Sequence, residues 1–157
     1  MMELFSNIPL MAAITGILFA QFVKVPIRLI VTKEFIPKLV FSTGGMPSSH
    51  TAAVTALTTS IGLIEGFDTT LFAASFIFSV IIMFDASGVR RQAGKHAELL
   101  NELVRDVQYF AREARDWNKK ADYEKRQELK ELLGHKPIEV FFGAITGIII
   151  GIIFTNI

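Results

Sequence analysis

The chain has 157 residues and no cysteine; 51% of its residues are hydrophobic, 20% are charged, and its formal net charge is +1. That hydrophobicity excludes intrinsic disorder, which requires few apolar residues. Without cysteine the chain has no disulfide framework, no thiolate metal site and no cysteine nucleophile. A net charge near zero gives no indication of a nucleic-acid partner, and the length predicts a single domain over residues 1–157.

Four apolar stretches follow one another along the chain. They cover residues 8–23, 46–64, 69–84 and 138–157. A helix needs about 20 apolar residues to cross a bilayer, so only the last stretch is long enough as it stands. The first can extend past Lys24, because a lysine can reach the membrane border with its charged end. Soluble core helices are the alternative, but four of them would leave so small a chain too little polar surface. We therefore predict an all-α polytopic membrane bundle with about four membrane helices.

The distribution of charge predicts the orientation of this bundle. Of the 16 lysines and arginines, four lie between the first and second stretches and twelve between the third and fourth. Four alternating spans place both groups on one side of the membrane, and the other side carries only Glu3, Glu65 and Asp68. By the positive-inside rule the charged loops are cytoplasmic and both termini lie outside. We predict a multi-pass protein of the cell membrane. We expect no cleavable signal, because the N-terminus lacks a basic region.

The segment 85–137 is the longest polar part of the chain. Ten acidic residues are interleaved with the twelve basic ones, and apolar residues recur at helical spacing over 99–117. A second helix is expected from Ala121 to Leu133, ending at Gly134. We predict a cytoplasmic helical insertion, a hairpin whose charged faces are mainly solvated. Contact with anionic lipid headgroups is the alternative.

The last apolar stretch carries a glycine at every fourth position. Small residues at this spacing allow two helix backbones to approach closely. The contact can lie within the chain or between two copies, so a homodimer stays open as a partner arrangement. The glycines concerned are Gly143, Gly147 and Gly151.

The segment 42–51 is the most informative for chemistry. Two glycines allow a tight turn, Pro47 suits a first helical turn, and Ser48 and Ser49 supply hydroxyl groups before an apolar helix. A helix N-terminus presents unpaired N–H groups and a positive dipole end, which favour an anion such as phosphate. His50 lies there as a candidate proton donor. The glycine-and-lysine pattern of a nucleotide P-loop is absent. An ordinary capped helix start is the alternative.

A second polar segment begins where the third apolar stretch ends. Arginine there suits phosphate, because its planar guanidinium donates two parallel hydrogen bonds. With alternating spans, the ends of all four helices deliver polar groups to the same cytoplasmic boundary. No ligand spacing among these groups indicates a metal, and we predict none. The groups at this boundary include Lys24, Arg28, Asp85, Arg90, Arg91, Lys95, His96, His135, Lys136 and Glu139.

Three parts of the chain carry a resemblance to a known family. Residues 45–50, 85–91 and 133–139 look like the divergent branch of the type 2 phosphatidic acid phosphatase and vanadium-dependent haloperoxidase superfamily. The resemblance covers nearly the whole chain. The superfamily has three motifs, K-x6-R-P, P-S-G-H and S-R-x5-H-x3-D. Residues 47–50 are similar to the second motif, and Arg90 and His96 have the R-x5-H spacing of the third.

The resemblance implies a phosphohistidine mechanism that needs no metal and no cofactor. In it His96 attacks phosphorus and His50 protonates the leaving oxygen, so these two are the candidate catalytic residues. The candidate phosphate-binding residues are Lys24, Ser48, Ser49, Arg90 and Arg91, and the candidate supporting residues are Asp85, Asn101, His135 and Glu139.

The chain departs from the parent motifs at four places, of which the first is Ser49 in place of the glycine of the second motif. No R-P pair follows Lys24 at the required distance, and Val89 replaces the serine of the third motif. Leu100 stands where the aspartate that orients the nucleophilic histidine is expected, with Asn101 one residue later. Without that carboxylate the tautomer and basicity of the histidine are less well set.

These features predict a membrane phosphatase-like protein that acts on a lipid phosphate or pyrophosphate at the cytoplasmic face. Its partner would be a membrane lipid with a phosphate headgroup. The departures leave enzymatic activity open, and the alternative is a non-enzymatic lipid-phosphate binding or transport protein with a degenerate site. A structural or regulatory membrane protein is a third interpretation, based on the glycines of the last helix and the charged hairpin.

Overall fold

Every regular element in the described part of the chain is helical. The computed structural model describes residues 5–42, 44–115 and 135–156. The predicted all-α class is confirmed, while the second hairpin helix predicted over 121–133 lies outside the described residues. The helices are α1 (Ile8–Thr32), a short 3-10 helix (Pro37–Phe41), α2 (Ser49–Glu65), α3 (Thr70–Ser87), α4 (Val89–Arg115) and α5 (Pro137–Asn156).

Within the described residues, three helical stretches are long and apolar enough to cross a membrane. They are α1, the stretch Thr70–Gln108, whose apolar part is α3, and α5. Large apolar side chains such as Phe22, Phe78 and Phe141 point away from the bundle, as expected for helices in lipid. The first span continues well past the apolar stretch 8–23, through Lys24 to Thr32. The chain is an all-α membrane helix bundle in which α2, with 17 residues, is shorter than the three candidate spans.

The central helix of the bundle is α2, which packs against α1, α3 and α5. Its buried side chains are small, among them Ala52, Ala56 and Ser60. Gly16 of α1 faces this surface, and a Cβ atom there would lie 2.9 Å from the carbonyl oxygen of Ala52. In lipid, helices associate through close packing and hydrogen bonds rather than by hydrophobic burial, so small residues favour this arrangement.

The glycines of α5 are used within the chain, against α2. A Cβ atom at position 143 would lie 2.6 Å from the carbonyl oxygen of Ser48, and one at 151 would lie 2.9 Å from that of Ala56. At Gly147 it would overlap the Thr55 hydroxyl and the backbone of α2. Positions rise together along both helices, so α2 and α5 run parallel. A homodimer through these glycines would have to displace α2.

The helices alternate in direction, so that α1 and α3 end where α2 and α5 begin. The backbone N–H of Ser48 donates to the Glu139 carbonyl, 2.9 Å away, and the N–H of His135 donates to the Ala86 carbonyl at the same distance. We call this end of the bundle, where Lys24, Ser48, Ala86 and His135 lie, the site end. The predicted convergence of helix ends is therefore present in the fold.

The described part of the predicted insertion is α4, which continues from α3 beyond Gly88. Among the described elements it contacts α3 and no other. Apolar side chains such as Leu99, Leu103 and Val107 are exposed on it, whereas Ala97 and Asn101 are buried. The helix is strongly amphipathic.

We expect Gly147→Ala to destabilise the bundle by about 3 kcal/mol, the upper end of the usual cost of overpacking, because the carbonyl of Ala52 cannot move aside as a side chain can. Thermal unfolding in detergent measures the loss. Ile149→Ala, at an exposed position of α5, is the control and should shift the midpoint little. Equal midpoints for Gly147→Ala and the parent would contradict the close α2–α5 contact.

Candidate functional site

The first turn of α2 forms one wall of the candidate site. Gly45, with a φ of 95°, adopts the left-handed conformation that lets the chain turn into the helix. Ser48 caps the helix, and its hydroxyl accepts hydrogen bonds from the Thr51 N–H (3.3 Å) and the Thr51 hydroxyl (3.0 Å). Ser48 and Ser49 are both buried. This turn therefore holds the positive end of the α2 dipole inside the site end.

Lys24 supplies a buried positive charge beside this turn. Its residue is only 2% exposed, and its Nζ donates to the Ser42 carbonyl at 3.1 Å. The Lys24 stem passes close to Gly45, where a Cβ atom would lie 3.6 Å from Cδ. The negative charge of Glu139 acts on it. A buried ammonium group next to a helix N-terminus is a strong point of attraction for an oxyanion.

His135 and Glu139 form a hydrogen-bonded pair at the start of α5. Nδ1 of His135 lies 3.1 Å from Oε2 of Glu139, and the same carboxylate oxygen accepts the Lys136 N–H at 3.1 Å. Pro137 is the first residue of α5 and Glu139 lies in its first turn, where proline and an acidic residue are both favoured. The helix start therefore fixes the carboxylate, and the carboxylate fixes the imidazole.

The other ring nitrogen of His135 has no hydrogen-bond partner in the part of the chain that the structure describes. His135 is 2% exposed, and its Nε2 is buried without a partner among the described residues. Leaving a buried polar atom unsatisfied costs about 1–3 kcal/mol. When the carboxylate accepts a hydrogen bond from Nδ1–H, the neutral ring carries its lone pair on Nε2. That atom is thus an available nucleophile held in a fixed orientation.

His50 faces His135 from the first turn of α2. The two ring centroids lie 6.2 Å apart, with the rings edge-on at 62°. Arg90 and Lys24 act on the His50 ring as positive charges, while Asp85 acts in the opposite direction. A phosphate dianion arriving among these cations would favour the protonated ring. His50 can therefore become an acid when an oxyanion is bound.

Asp85 and Arg90 form an ion pair at the rim of the site end. Nε of Arg90 lies 2.6 Å from Oδ2 of Asp85, and both side chains are partly exposed. Only Nε takes part in this contact, so the terminal guanidinium nitrogens stay available to a phosphate oxygen. An exposed pair of this kind contributes little to stability, and an anion can compete for the arginine.

The structure brings some of the predicted site residues together and leaves others apart. Residues from α1, α2, α3 and α5 meet at the site end, together with Arg90 from the first turn of α4. His96 and Arg91 lie exposed along α4, and Asn101 is buried there. Since α4 packs only on α3 among the described elements, these three are not placed with the cluster. The residues of the cluster are Lys24, Ser48, Ser49, His50, Asp85, Arg90, His135 and Glu139.

The sequence predicts only supporting roles for His135 and Glu139, whereas the structure places this pair at the centre of the site end. A signal was present: His135 and Glu139 have the H-x3-D spacing of the third motif, with glutamate in place of aspartate. Residues 91–134 separate this pair from Arg90, which hid the match. In the fold the separation disappears, because the His135 N–H donates to Ala86 of α3.

No metal site emerges from the described residues. Within them, no group of three or more His, Asp or Glu side chains is arranged to hold a metal ion. The site end instead offers imidazoles, an ammonium group and a guanidinium group around a helix N-terminus. This set can bind an oxyanion and move protons and a phosphoryl group.

Comparisons with known proteins agree with this architecture. Residues 5–150 match the model of the Divergent PAP2 family. The chain is also 56% identical over 152 residues to an uncharacterized membrane protein, YuiD, of Bacillus subtilis strain 168, with 97% of this chain and 96% of that protein covered. No solved structure matches the chain significantly. The match over nearly the whole length places this chain in the Divergent PAP2 family of membrane proteins.

Proposed function

We propose that the protein is a membrane phosphatase that hydrolyses a lipid phosphate or pyrophosphate, with His135 as its nucleophile. The observation that carries the proposal is the pair at the start of α5: Nδ1 of His135 bonded to Glu139, and a buried Nε2 without a partner. Membership of a phosphatase-related family and the anion-attracting end of α2 support the same chemistry. His50 keeps the acid role suggested by its sequence motif.

In the first step Nε2 of His135 attacks phosphorus. A P–N bond forms, the bond between phosphorus and the leaving oxygen breaks, and the electron pair of that bond stays on the oxygen. His50 donates its proton to this oxygen. Glu139 keeps the Nδ1 proton in place and stabilises the positive charge that develops on the His135 ring.

In the second step water attacks the phosphohistidine. His50, now neutral, accepts a proton from the water, the P–N bond breaks, and inorganic phosphate leaves. His135 is returned to its starting state. Lys24, Arg90 and the N–H groups of the first α2 turn neutralise charge on the phosphoryl oxygens through both steps.

The position of the cluster supports a lipid substrate. It lies at helix ends, where apolar spans give way to the charged segments that carry all 16 basic residues. A phosphate headgroup lies at the same level of a bilayer. The positive-inside rule favours the cytoplasmic face, with both termini outside. The same cradle would also serve a protein that binds or transports a lipid phosphate without turnover, and the experiments below separate the two functions.

We expect His135→Gln to abolish release of inorganic phosphate from phosphatidate or polyprenyl pyrophosphate, because the nucleophilic nitrogen is removed. His96→Gln is the matched control and should retain activity within about twofold, since His96 is exposed on α4 and substitutions away from a site have small effects. Glu139→Gln should lower kcat by roughly a hundredfold through misorientation of the ring. Phosphate release by purified protein in detergent measures all three.

Two other outcomes would contradict the proposal, each in a different way. Loss of activity in His96→Gln with full activity in His135→Gln would return the nucleophile to α4. Saturable binding of phosphatidate with no phosphate release, even in the parent protein, would leave the binding function in place of the enzyme.

We expect Lys24→Met to weaken binding of inorganic phosphate roughly ten- to hundredfold, since a hydrogen bond to a charged group contributes about 1.5–3 kcal/mol. Titration calorimetry on detergent-solubilised protein measures the affinity. The thermal midpoint of Lys24→Met, measured in the same detergent, shows whether the bundle is intact. Lys38→Met removes an exposed lysine and should leave the affinity unchanged. Parent-like affinity in Lys24→Met would remove Lys24 from the cradle.

The proposed orientation can be measured directly, because the chain has no native cysteine. Single cysteines at Lys38 and Lys95 should react with a membrane-impermeant maleimide only after cells are opened. A cysteine at Asp68 should react in intact cells. All three positions are exposed. The reverse pattern would place the site end on the outer face and contradict the cytoplasmic assignment.

A further inference from the structure

An apolar groove runs along α2, between α3 and α5. Both of these helices pack on α2, but they contact each other only slightly. The space left between them has a volume of about 360 Å³. Ligand pockets in proteins fall in this range of volume. The groove is distinct from the polar cluster at the site end.

Three small side chains on the floor of the groove have hydroxyl groups that are already bonded. Thr55 donates to the Thr51 carbonyl at 2.8 Å, Thr58 to the Ser75 carbonyl at 3.1 Å, and Ser79 to the Val54 carbonyl at 3.1 Å. All three residues are buried. Because the backbone satisfies these three hydroxyl groups, they leave methyl and methylene groups facing the groove.

The walls of the groove are large and apolar. Phe72 and Phe76 line it from α3, and Ile148 and Ile152 from α5. From Thr55 to Leu63, which also lines it, α2 rises about 12 Å at 1.5 Å per residue. At the far end Phe67 contacts Phe72 edge-on, with ring centroids 5.1 Å apart. The groove is therefore long, narrow and hydrophobic, with an aromatic pair at one end.

The opposite end of the groove adjoins the candidate site. Thr55 lies one helical turn beyond Thr51, whose hydroxyl bonds the Ser48 cap at 3.0 Å. Met83, which lines the groove from α3, precedes Asp85 by two residues. A molecule lying in the groove therefore has one end near the cationic cluster and the remainder at the depth of the apolar spans.

We propose that this groove holds one hydrocarbon tail of the lipid whose phosphate lies between His135 and His50. The inference rests on the proposed function and narrows it: the substrate is a long-chain lipid phosphate, recognised by one tail as well as by its headgroup. A whole helix from a second copy does not fit, since a helix about 10 Å across and 12 Å long occupies roughly 900 Å³. A single extended chain matches both the narrow shape and the continuity with a cationic site.

A photoreactive alkyl monophosphate, with a diazirine in the middle of its tail, tests the proposal. The protein is reconstituted in phosphatidylcholine vesicles, irradiated with the probe, and mapped by peptide mass spectrometry. We expect labels on groove residues of α2, α3 and α5, removed by excess unlabelled alkyl monophosphate. Labelling needs no turnover, so His135→Gln protein can be used as well as the parent.

Two tryptophan variants of α5 form a matched pair for this experiment. Ile148 lines the groove and is 43% exposed, while its neighbour Ile149 is 51% exposed and does not line it. Ile148→Trp should reduce groove labelling roughly tenfold, the effect of displacing about two methylene groups from an apolar site. Ile149→Trp should label like the parent. Thermal midpoints of both variants show that the bundle is intact.

The outcomes separate this inference from the proposed function. Groove labelling without phosphate release from any substrate would support the tail site and contradict the enzyme. Phosphate release with labels scattered around the bundle, or with equal labelling in both variants, would overturn the tail site and leave the enzyme in place. If Ile148→Trp no longer hydrolyses long-chain substrates but still hydrolyses p-nitrophenyl phosphate, the result would support both the tail site and the enzyme.

Discussion

The site depends on the close approach of α2 and α5. The absent side chain at Gly143 lets the Ser48 carbonyl lie 2.6 Å from where a Cβ atom would stand, and the Ser48 N–H donates to the Glu139 carbonyl. These contacts set the first turns of two parallel helices side by side. One turn carries His50 and the dipole of α2; the other carries the His135–Glu139 pair. Because little hydrophobic force acts between helices in lipid, such backbone proximity is what holds the two turns together.

The sequence predicted most of the bundle, because apolar runs and small residues have direct physical consequences. It placed the helix that became α5 within one residue of its observed start, and the glycines of that helix indicated a close contact. It was less informative about Lys24, which was expected to reach towards the membrane border and instead lies buried under the Ser42 carbonyl. That outcome depends on the path of the chain at 42–45, which no local pattern specifies.

Part of the candidate site was also predictable from local sequence patterns. The Pro47–His50 turn could be recognised, since a helix N-terminus and its anion preference are local properties. The histidine that lies opposite His50 could not be recognised, because the tertiary fold decides whether His96 or His135 lies beside α2. After Arg90 the chain continues as α4, which contacts only α3 among the described elements, and His135 lies beside Ala86 of α3 again. Since the cost of closing a loop rises only slowly with its length, a motif can be divided by such an insertion without losing its geometry.

The charged side chains of the cluster favour binding of an anion, in addition to the dipole of α2. Glu139 is the carboxylate that holds His135, and it is also the opposite charge that acts on buried Lys24. Asp85 is engaged by Arg90 at the rim. The negative charge of Glu139 therefore acts on both an ammonium group and an imidazole, next to the positive end of α2. A buried charge is costly unless it is paired, so a phosphate group between His50 and His135 would supply the negative charge that this arrangement lacks.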